Sequence, residues 1–370
     1  MIYLDNAATT LIKPASVGMA VSAAMRSLAT PGRGGHAPAM RAAETVYACR
    51  EEAAALFHLA DPERVVFTLN ATHALNLAIR SLAKPGDPVV ISGYEHNAVT
   101  RPLHALGAKL RVAGAGPFDR QQILTDFERL LPGAKLAVCT HVSNVFGYTL
   151  PVYELAELCR EKGVPLIVDA SQSAGVLELD MERLGAAFLA MPGHKSLFGP
   201  QGTGLLLCAA EGEPLLFGGS GSDSVPQTMP DYLPDRLEAG TQNVCGIAGL
   251  LEGLRYVRQK GTAEILRHER GLLRRMLDGL AGTEYELFTG KEQTGVLSLR
   301  CDRCDSESLA AALAERGICV RAGLHCAPLA HRSAGTLESG TVRFSFSPFV
   351  TGEQIDRTCQ ALRRLEGERI

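Results

Sequence analysis

One lysine stands in a sequence environment that suits covalent chemistry. Lys195 follows Gly193 and His194, just past a short apolar segment, and further glycines come within ten residues. Most lysines are solvated surface charges, but this setting is more typical of a covalent anchor. A partly deprotonated amine can hold an aldehyde cofactor as a Schiff base and can later act as a base.

A carboxylate at the end of a predicted strand accompanies this lysine. The run from Val164 is apolar until it reaches Asp169, and Asn144 follows another predicted strand. Ligands of parallel α/β sheets bind beyond the carboxyl ends of the strands, so we expect Asp169, Lys195 and Asn144 in one pocket. An aspartate at such a position can pair with the pyridinium nitrogen of pyridoxal phosphate (PLP). Asp169 and Lys195 together therefore predict a PLP site.

The order of sequence patterns predicts an α/β fold. From about residue 64 to 210, short β-branched runs alternate with amphipathic stretches such as 72–83 and 152–161. This order implies a mostly parallel sheet covered by helices. The expected strands are 64–69, 88–92, 109–113, 135–141, 164–169, 186–190 and 203–208.

The pattern changes beyond residue 210. Residues 211–243 are rich in Gly, Pro and Ser, which is typical of a long functional loop. Two long helices follow, then strands near 294–300 and 341–347, and a last helix that starts with a capping box at Thr351. We predict a large PLP-binding α/β domain of residues 14–245. Residues 1–13 and 246–370 form a smaller α+β domain, with the first residues packing against it or against the cleft.

Composition limits the class of protein. A chain of 370 residues with 46% apolar and 21% charged residues is typical of a two-domain soluble enzyme. The net charge of −3 gives no basis for binding nucleic acid or an anionic membrane. Neither a secretory signal nor an apolar run of roughly 18 residues is evident. We therefore expect a cytoplasmic protein.

The ten cysteines are expected to stay reduced in that compartment. Cys139, Cys208 and Cys319 lie in apolar segments and are interpreted as core residues. Cys301 and Cys304 form one C-x-x-C, but no second pair or nearby histidine completes a zinc site, so no metal is expected.

Short motifs follow one another along nearly the whole chain, from Tyr3-Leu-Asp-Asn-Ala-Ala-Thr-Thr10 to Arg343. They are the segments 67–73 (FTLNATH), 94–97 (YEHN), 141–144 (HVSN), 169–172 (DASQ), 193–195 (GHK), 238–241 (EAGT) and 321–327 (RAGLHCA). In this order they resemble the class V aminotransferase superfamily, and within it the cysteine desulfurases and selenocysteine lyases. The resemblance implies a fold-type I PLP enzyme that is a homodimer, with each active site at the subunit interface.

The resemblance implies roles for the residues around the cofactor ring. Lys195 would carry PLP and then remove the substrate α-proton, and Asp169 would keep the ring nitrogen protonated. Gln172 would bond the ring's phenolate oxygen. His96 would stack on the ring and move protons near the substrate thiol, although a polar turn at a strand end remains the alternative.

The cofactor phosphate is expected at the start of the helix after the first large-domain strand. Ala71 and Thr72 would bind it through backbone amides, while the alternative that Asn70 or Thr72 merely caps the helix is compatible with this role. His194 and Thr241 resemble further phosphate contacts, Thr241 from the neighbouring subunit.

The chain departs from its relatives at this phosphate site. Many have Gly-Thr-Thr-Glu where this sequence has Asn-Ala-Thr-His at 70–73, and Ser where it has Pro192. One hydroxyl is missing from each place, and Ser171 and Ser222 are the candidate replacements.

Other residues resemble the family's substrate site. Arg343 would grip the substrate carboxylate through its planar guanidinium, unless it is an ordinary outward arginine. Asn144 and the backbone near Ala7 would help to hold the same carboxylate. His36 belongs either to the substrate pocket or to a structural turn.

The segment 321–327 matches the Arg-x-Gly-x-His-Cys-Ala pattern of the second desulfurase group. Arg321 and His325 would surround Cys326 with groups that favour the reactive thiolate. Arg321 is also expected to help bind the substrate. Cys326 would then take the sulfur of L-cysteine as a persulfide and release L-alanine, and an acceptor protein or small thiol would remove the sulfur. The alternatives are a buried inert cysteine, a lyase acting on L-selenocysteine, a class V aminotransferase or epimerase, and a non-enzymatic binding partner.

Overall fold

Strands and helices alternate along the chain, and this computed structural model describes residues 1–32 and 34–366. The strands are β1 (Ile2–Tyr3), β2 (Val65–Thr68), β3 (Pro88–Ser92), β4 (Lys109–Ala113), β5 (Leu136–Thr140), β6 (Leu166–Asp169), β7 (Phe188–Pro192), β8 (Gly204–Cys208), β9 (Glu286–Phe288), β10 (Val296–Arg300), β11 (Ile318–Cys319), β12 (Arg321–Gly323) and β13 (Thr341–Ser345). The helices are α1 (Ala15–Ser27), α2 (Ala37–Leu56), α3 (Ala71–Leu82), α4 (Asn97–Leu106), α5 (Arg120–Leu130), α6 (Val152–Glu161), α7 (Met181–Leu184), α8 (Val244–Lys260), α9 (Thr262–Gly279), α10 (Ser306–Glu315), α11 (Pro328–Ser333) and α12 (Gly352–Glu366).

A seven-stranded sheet forms the larger part of the molecule, in the spatial order β2, β8, β7, β6, β5, β3, β4. Its neighbouring strands are parallel except where β8 pairs with β2 and β7. The register places Asp169 between Thr140 and Ala190, so that β5, β6 and β7 end side by side. The mostly parallel α/β sheet predicted from the sequence is confirmed, and one edge of it receives the segments that follow these strands.

The apolar runs of this sheet are explained by burial on both faces. In β5, Ala137 and Cys139 contact one apolar cluster, whereas Leu136 and Val138 contact the cluster on the other face. Continuous apolar strands are expected where helices cover both sides of a parallel sheet. Cys139 and Cys208 are fully buried in these clusters, which confirms that they are core residues.

The last part of the chain forms a separate antiparallel sheet in the order β12, β13, β10, β9. The predicted boundary between residues 245 and 246 falls inside α8, whose buried residues pack in the same core cluster as α2 and the large sheet. We propose that α8 belongs with the large sheet and that the smaller domain begins after it. Residues 367–370 of that predicted domain lie outside the described residues.

The N-terminal segment, residues 2–10, contacts both sheets. Its strand β1 pairs with β11, and its Ala7 amide donates to Ser345 Oγ at 2.8 Å. Further along, the Thr10 amide donates to the His194 carbonyl at 3.2 Å. The first residues were predicted to pack against the smaller domain or against the cleft, and they contact both.

The capping box predicted for the last helix is present. The Gln354 amide donates to Thr351 Oγ1 at 3.3 Å, and the Thr351 amide donates to Gln354 Oε1 at 3.0 Å. The two bonds satisfy donors that the first helical turn leaves without partners. No helix among residues 1–32 and 34–366 has both the length and the apolar character needed to cross a membrane.

The segment 211–243 contains neither helix nor strand, and a buried ion pair fastens its end to the large sheet. Arg50 of α2 donates from Nη2 to Glu238 Oε2 at 2.7 Å, and both side chains are almost fully buried. The Phe67 amide donates to Glu238 Oε1 at 2.6 Å, and the Arg50 guanidinium lies 4.5 Å from the Phe67 ring centroid. The pair therefore joins α2, β2 and this long segment.

We expect Glu238→Ala to lower the free energy of unfolding by about 3 to 5 kcal/mol, because it leaves the Arg50 charge buried without a counter-ion. The matched control is Glu213→Ala in the same segment. Glu213 pairs with Arg236 at 3.0 Å but is largely exposed, so its loss should cost less than about 1 kcal/mol. Denaturant unfolding measures both, and equal small losses would contradict the anchoring role of Glu238.

Candidate active site

A cavity of about 610 Å³ opens where the segments following β2, β3, β5, β6 and β7 meet. Parallel neighbours and their register bring these segments to one edge of the sheet. The lining includes most of the residues predicted for the cofactor and one predicted for the substrate: Ala71, Thr72, His96, Asn144, Asp169, Gln172, His194 and Lys195. Lys195 and Asp169 thus lie in one cavity, as the PLP hypothesis requires.

Lys195 lies in an environment that weakens its positive charge. Burial lowers the pKa of its amine to about 8; the Asp169 carboxylate opposes this change, whereas Arg343 and Arg321 add to it. Asp169 ends β6, is buried, and accepts a hydrogen bond from the Ser171 amide at 2.9 Å. A lysine with this pKa is in part neutral near pH 7, so it can act as a nucleophile and as a base.

Two neutral histidines line the same cavity. Burial first, and the charge of Lys195 next, lower the pKa of His96 and of His194 to about 4. His96 Nδ1 accepts the Ala98 amide at 3.0 Å and caps α4, so the neutral ring carries its proton on Nε2. The polar turn considered for His96 is therefore real, and stacking on a cofactor ring stays a prediction.

The amino end of α3 reaches the cavity through Ala71 and Thr72. Asn70 caps this helix, because its Oδ1 accepts the His73 amide at 2.9 Å. The amides of Ala71 and Thr72 have no acceptor inside the helix, so they are available to an anion. Gly204 packs against this turn, where a Cβ atom would lie 2.8 Å from the Asn70 carbonyl carbon. Capping and anion binding can therefore coexist.

Of the two serines expected to replace the missing hydroxyls, only one lines the cavity. Pro192 lines the cavity, and so does Ser171. Ser222 instead lies 2.8 Å, hydroxyl to hydroxyl, from Ser220 in the long segment and is not part of this lining.

The polar groups of the cavity fit the three polar ends of PLP. Asp169 offers a buried carboxylate for a pyridinium nitrogen, Lys195 offers an amine for the aldehyde, and the start of α3 offers amides for the phosphate.

Cys326 lies on a short loop beside this cavity. Its thiol is exposed, and Arg321 Nη2 lies 3.8 Å from its Sγ atom. The Asn97 amide donates to the Cys326 carbonyl at 2.7 Å, which fixes the loop next to His96. Cys326 is therefore not the buried cysteine considered as the alternative, and its reactivity stays a prediction.

Arg343 faces away from the core of the smaller sheet, as the alternation of β13 predicts. Val342 and Phe344 pack in that core, whereas Arg343 Nη1 donates to the Asn144 carbonyl at 2.9 Å. The register of β12 and β13 puts Arg321 directly opposite Arg343. Because Arg343 is only 1% exposed, it is not an ordinary outward arginine.

His325 does not surround the Cys326 thiol as the sequence suggested. Its ring is buried, with Nε2 3.2 Å from the Thr341 carbonyl oxygen, and burial lowers its pKa to about 2. The ring is therefore neutral and cannot stabilise a thiolate by charge. Its backbone matters instead: His325 and Cys326 have φ angles of 48° and 56°, and Asn144 Nδ2 donates to the His325 carbonyl at 2.8 Å. Two consecutive left-handed residues are costly, so such contacts must hold them.

Gln172 and Ala7 contact each other at the cavity. Gln172 Nε2 donates to the Ala7 carbonyl at 2.9 Å. One amide hydrogen of Gln172 is thus engaged with the N-terminal segment, and the second is left for a cofactor oxygen.

Two predicted residues lie away from the cavity. Thr241 lines a different cavity together with Gly240 and Gln242. His36 is exposed and caps α2, since its Nδ1 accepts the Ala39 amide at 3.4 Å. For His36 the structural turn is thus observed within one chain, and the role of Thr241 in a neighbouring subunit stays a prediction.

Two acidic residues near the site were missed by the sequence analysis. Asp5 bonds Arg343, and Glu95 is fully buried beside His96, where its Oε1 accepts the Thr140 amide at 2.8 Å. Burial raises the pKa of Glu95 to about 8. Both stand inside the quoted motifs, so their acidic side chains within those motifs were the signal available for them.

Comparison with known proteins agrees with this site. The family model described as aminotransferase class-V matches residues 2–358. The chain belongs to the class-V aminotransferase family. A probable cysteine desulfurase of Pyrococcus abyssi is 33% identical to this family member over 99% of this chain and 94% of that protein.

Solved structures extend the comparison to this family member's fold. The apo structure of a cysteine desulfurase from Thermococcus onnurineus NA1 has a TM-score of 0.89 and 33% identity, covering 99% of this chain and 94% of that one. A cysteine desulfurase of Escherichia coli, CsdA, has a TM-score of 0.87 and 27% identity, covering 100% and 95%. The fold-type I architecture is therefore confirmed.

Proposed function

We propose that this chain is a PLP-dependent cysteine desulfurase, which converts L-cysteine to L-alanine and transfers the sulfur to Cys326 as a persulfide. The observation that carries the proposal is an exposed thiol next to a guanidinium, on a loop fixed beside the cavity that holds Lys195 and Asp169. The relatives with full-length similarity that are named cysteine desulfurases support the same activity.

The residues of the cavity would hold PLP by its polar ends. Lys195 would tether it, Asp169 would pair with the ring nitrogen, Gln172 would donate to the ring oxygen, and Ala71 and Thr72 would bind the phosphate through their amides. His194 would assist at the phosphate, and Thr241 would come from a second subunit. Bound PLP supplies an electron sink for negative charge that develops at the substrate α-carbon.

The chain's own side chains would then perform proton and sulfur transfer. Arg343 would orient the substrate carboxylate, with Asn144 and the backbone of Ala7 beside it. The neutral amine of Lys195 would take the α-proton, since its pKa of about 8 suits a base near neutral pH. Neutral His96, with its proton on Nε2, would move a proton near the substrate thiol.

Sulfur transfer needs a thiolate within reach of the substrate. Cys326 would bond to the substrate sulfur while the electron pair of the Cβ–S bond stays with the substrate carbon, which is then protonated to give alanine. Arg321, 3.8 Å from the thiol sulfur, is the charge that favours the anionic form. A sulfur-acceptor protein or a small thiol would later remove the persulfide sulfur.

We infer a homodimer, because large apolar side chains remain exposed on α1, α2 and the long segment. They include Met19, Met25, Met40, Tyr47, Leu216 and Phe217. Exposed apolar patches of this kind are typical of contact surfaces, and a second subunit there could bring Thr241 to the cavity of the first. We also infer a cytoplasmic location, supported by ten cysteines that are all free.

The decisive variant is Cys326→Ala. We expect release of alanine from L-cysteine to fall by about 100-fold or more, because the variant removes the sulfur acceptor. Alanine release from L-selenocysteine should persist, since that reaction has no strict need for the thiol.

The matched control is Cys319→Ala, a partly buried cysteine of the same domain, which should retain turnover. Mass spectrometry should find the extra sulfur atom on Cys326 alone. Unchanged turnover of L-cysteine by Cys326→Ala would rule out the persulfide, and transamination products in place of alanine would indicate an aminotransferase.

A further inference from the structure

The arginine expected to bind the substrate already has an internal carboxylate partner. Arg343 Nη2 donates to Asp5 Oδ1 at 2.7 Å. The Arg343 side chain is 1% exposed and that of Asp5 is 20% exposed, so the pair is largely shielded from water. Ion pairs in such surroundings are stronger and more directional than pairs on an open surface.

The internal partners of Arg343 occupy some of its N–H donors and leave others without a partner. A guanidinium has five N–H donors; one from Nη2 goes to Asp5 and one from Nη1 goes to the Asn144 carbonyl at 2.9 Å. The buried Nε atom has no partner among the residues that the structure describes. Nε and the remaining N–H hydrogens are therefore the donors left for an incoming carboxylate.

The backbone around Asp5 keeps its carboxylate in place. Asp5 forms an isolated bridge with Ser345 of β13, and Asn6 Nδ2 donates to the Ser345 carbonyl at 2.9 Å. The Tyr3 hydroxyl donates to the Asp5 carbonyl at 3.2 Å. The backbone of Asp5 is thus fixed against the strand that carries Arg343, which places its side chain beside the guanidinium.

We propose that Asp5 is a positioning and specificity-determining residue: it aims Arg343 and lowers its affinity for carboxylates, so that a carboxylate alone does not suffice for binding. This inference rests on the proposed function for the identity of the natural substrate. The carboxylate of Asp5 repels a second carboxylate that shares the same guanidinium. A ligand must therefore gain further binding energy elsewhere, as an amino acid would through its amine at the cofactor. Simple carboxylic acids lack such a group and therefore bind weakly.

The test measures binding of propionate, which has a carboxylate but neither amine nor thiol, to the cofactor-loaded protein by calorimetry. We expect Asp5→Asn to bind propionate about tenfold more tightly than the parent, because the amide keeps the hydrogen bond to Arg343 and removes the charge. Asp5→Glu, which retains the charge, should bind as weakly as the parent. Asp5→Ala should bind more weakly than Asp5→Asn, because it frees the guanidinium to rotate.

A double-variant comparison separates this effect from a general change in the fold. In an Arg343→Gln background, Asp5→Asn should no longer change propionate binding. A change of less than twofold for Asp5→Asn alone, or an equal change without Arg343, would overturn the inference. Alanine release from L-cysteine is measured in parallel: absence of this reaction in the parent would overturn the proposed function while the propionate result still decides the role of Asp5.

Discussion

Replacing Lys195 with alanine should lower the turnover of L-cysteine by about a thousandfold or more. The variant removes the amine that we propose to tether the cofactor and to take the α-proton, and no other amine lines the cavity within the described residues. After borohydride reduction, mass spectrometry should find the PLP mass on Lys195 in the parent. It should find no such label in the variant.

Lys13 provides a stringent control for this variant. Burial lowers its pKa to about 8, the same value as for Lys195, and its Nζ donates to Thr10 Oγ1 at 2.8 Å outside the cavity lining. Lys13→Ala should change turnover by less than about threefold. Equal losses in the two variants, or a borohydride label on Lys13, would show that the lowered pKa, and not the position of Lys195 in the cavity, accounts for the activity.

Three buried histidines should destabilise the folded chain as the pH falls from 6.5 to 4. Burial lowers the pKa of His141 and of His331 to about 4 and that of His325 to about 2. All three rings are buried, and each has one ring nitrogen without a hydrogen-bond partner among the residues described. The unfolded chain binds protons at these histidines below pH 6.5 while the folded chain does not, so their contribution to stability is complete above that pH and is lost as the pH drops.

The size of this effect follows from the pKa difference. A pKa of about 4 in place of 6.5 corresponds to about 3 kcal/mol for each of His141 and His331 once titration is complete. The buried carboxyl groups of Glu95 and Glu269, whose pKa values burial raises to about 8, act in the opposite direction, because the folded chain binds protons there that the unfolded chain releases. Denaturant midpoints at pH 7.5, 6, 5 and 4, compared between the parent and a histidine variant, isolate the histidine contribution, and an equal pH dependence in the two proteins would refute it.

Single variants can assign the acid effect to particular rings. His331→Gln can keep a hydrogen bond to Thr336 Oγ1, which lies 2.8 Å from His331 Nδ1, and it removes one titrating group, so its stability should depend less on pH. His104→Gln, on the exposed side of α4, should leave the pH dependence of the parent unchanged.

The parallel sheet and its carboxyl edge could be predicted because local patterns determine them. A β-branched run of four or five residues, then a helix, fixes the strand direction, and direction alone brings Asp169, Asn144 and Lys195 to one edge. Strand ends were predicted less well. The strand expected at 186–190 is β7, which ends at Pro192, because antiparallel pairing with Gly204 extends it.

Contacts between distant parts of the chain could not be predicted in this way. The bond between Asp5 and Arg343 joins residues 338 positions apart, and no periodicity reports such a pair. The direction of the His325 ring is a similar case, since it depends on left-handed backbone angles and on Thr341 across the loop. The role predicted for Thr241 requires a second subunit and stays a prediction.

The position of the N-terminal segment has a consequence for synthesis of the protein. Residues 2–10 are synthesised roughly 300 residues ahead of their partners in β11 and β13. Until residue 345 has left the ribosome, the N-terminal segment can contact neither Ser345 nor Arg343. Loops that close over such long separations along the chain form slowly. Docking of the N-terminal segment onto β13 is therefore a late event in folding, and a nascent chain can assemble its parallel sheet long before the bond between Asp5 and Arg343 forms.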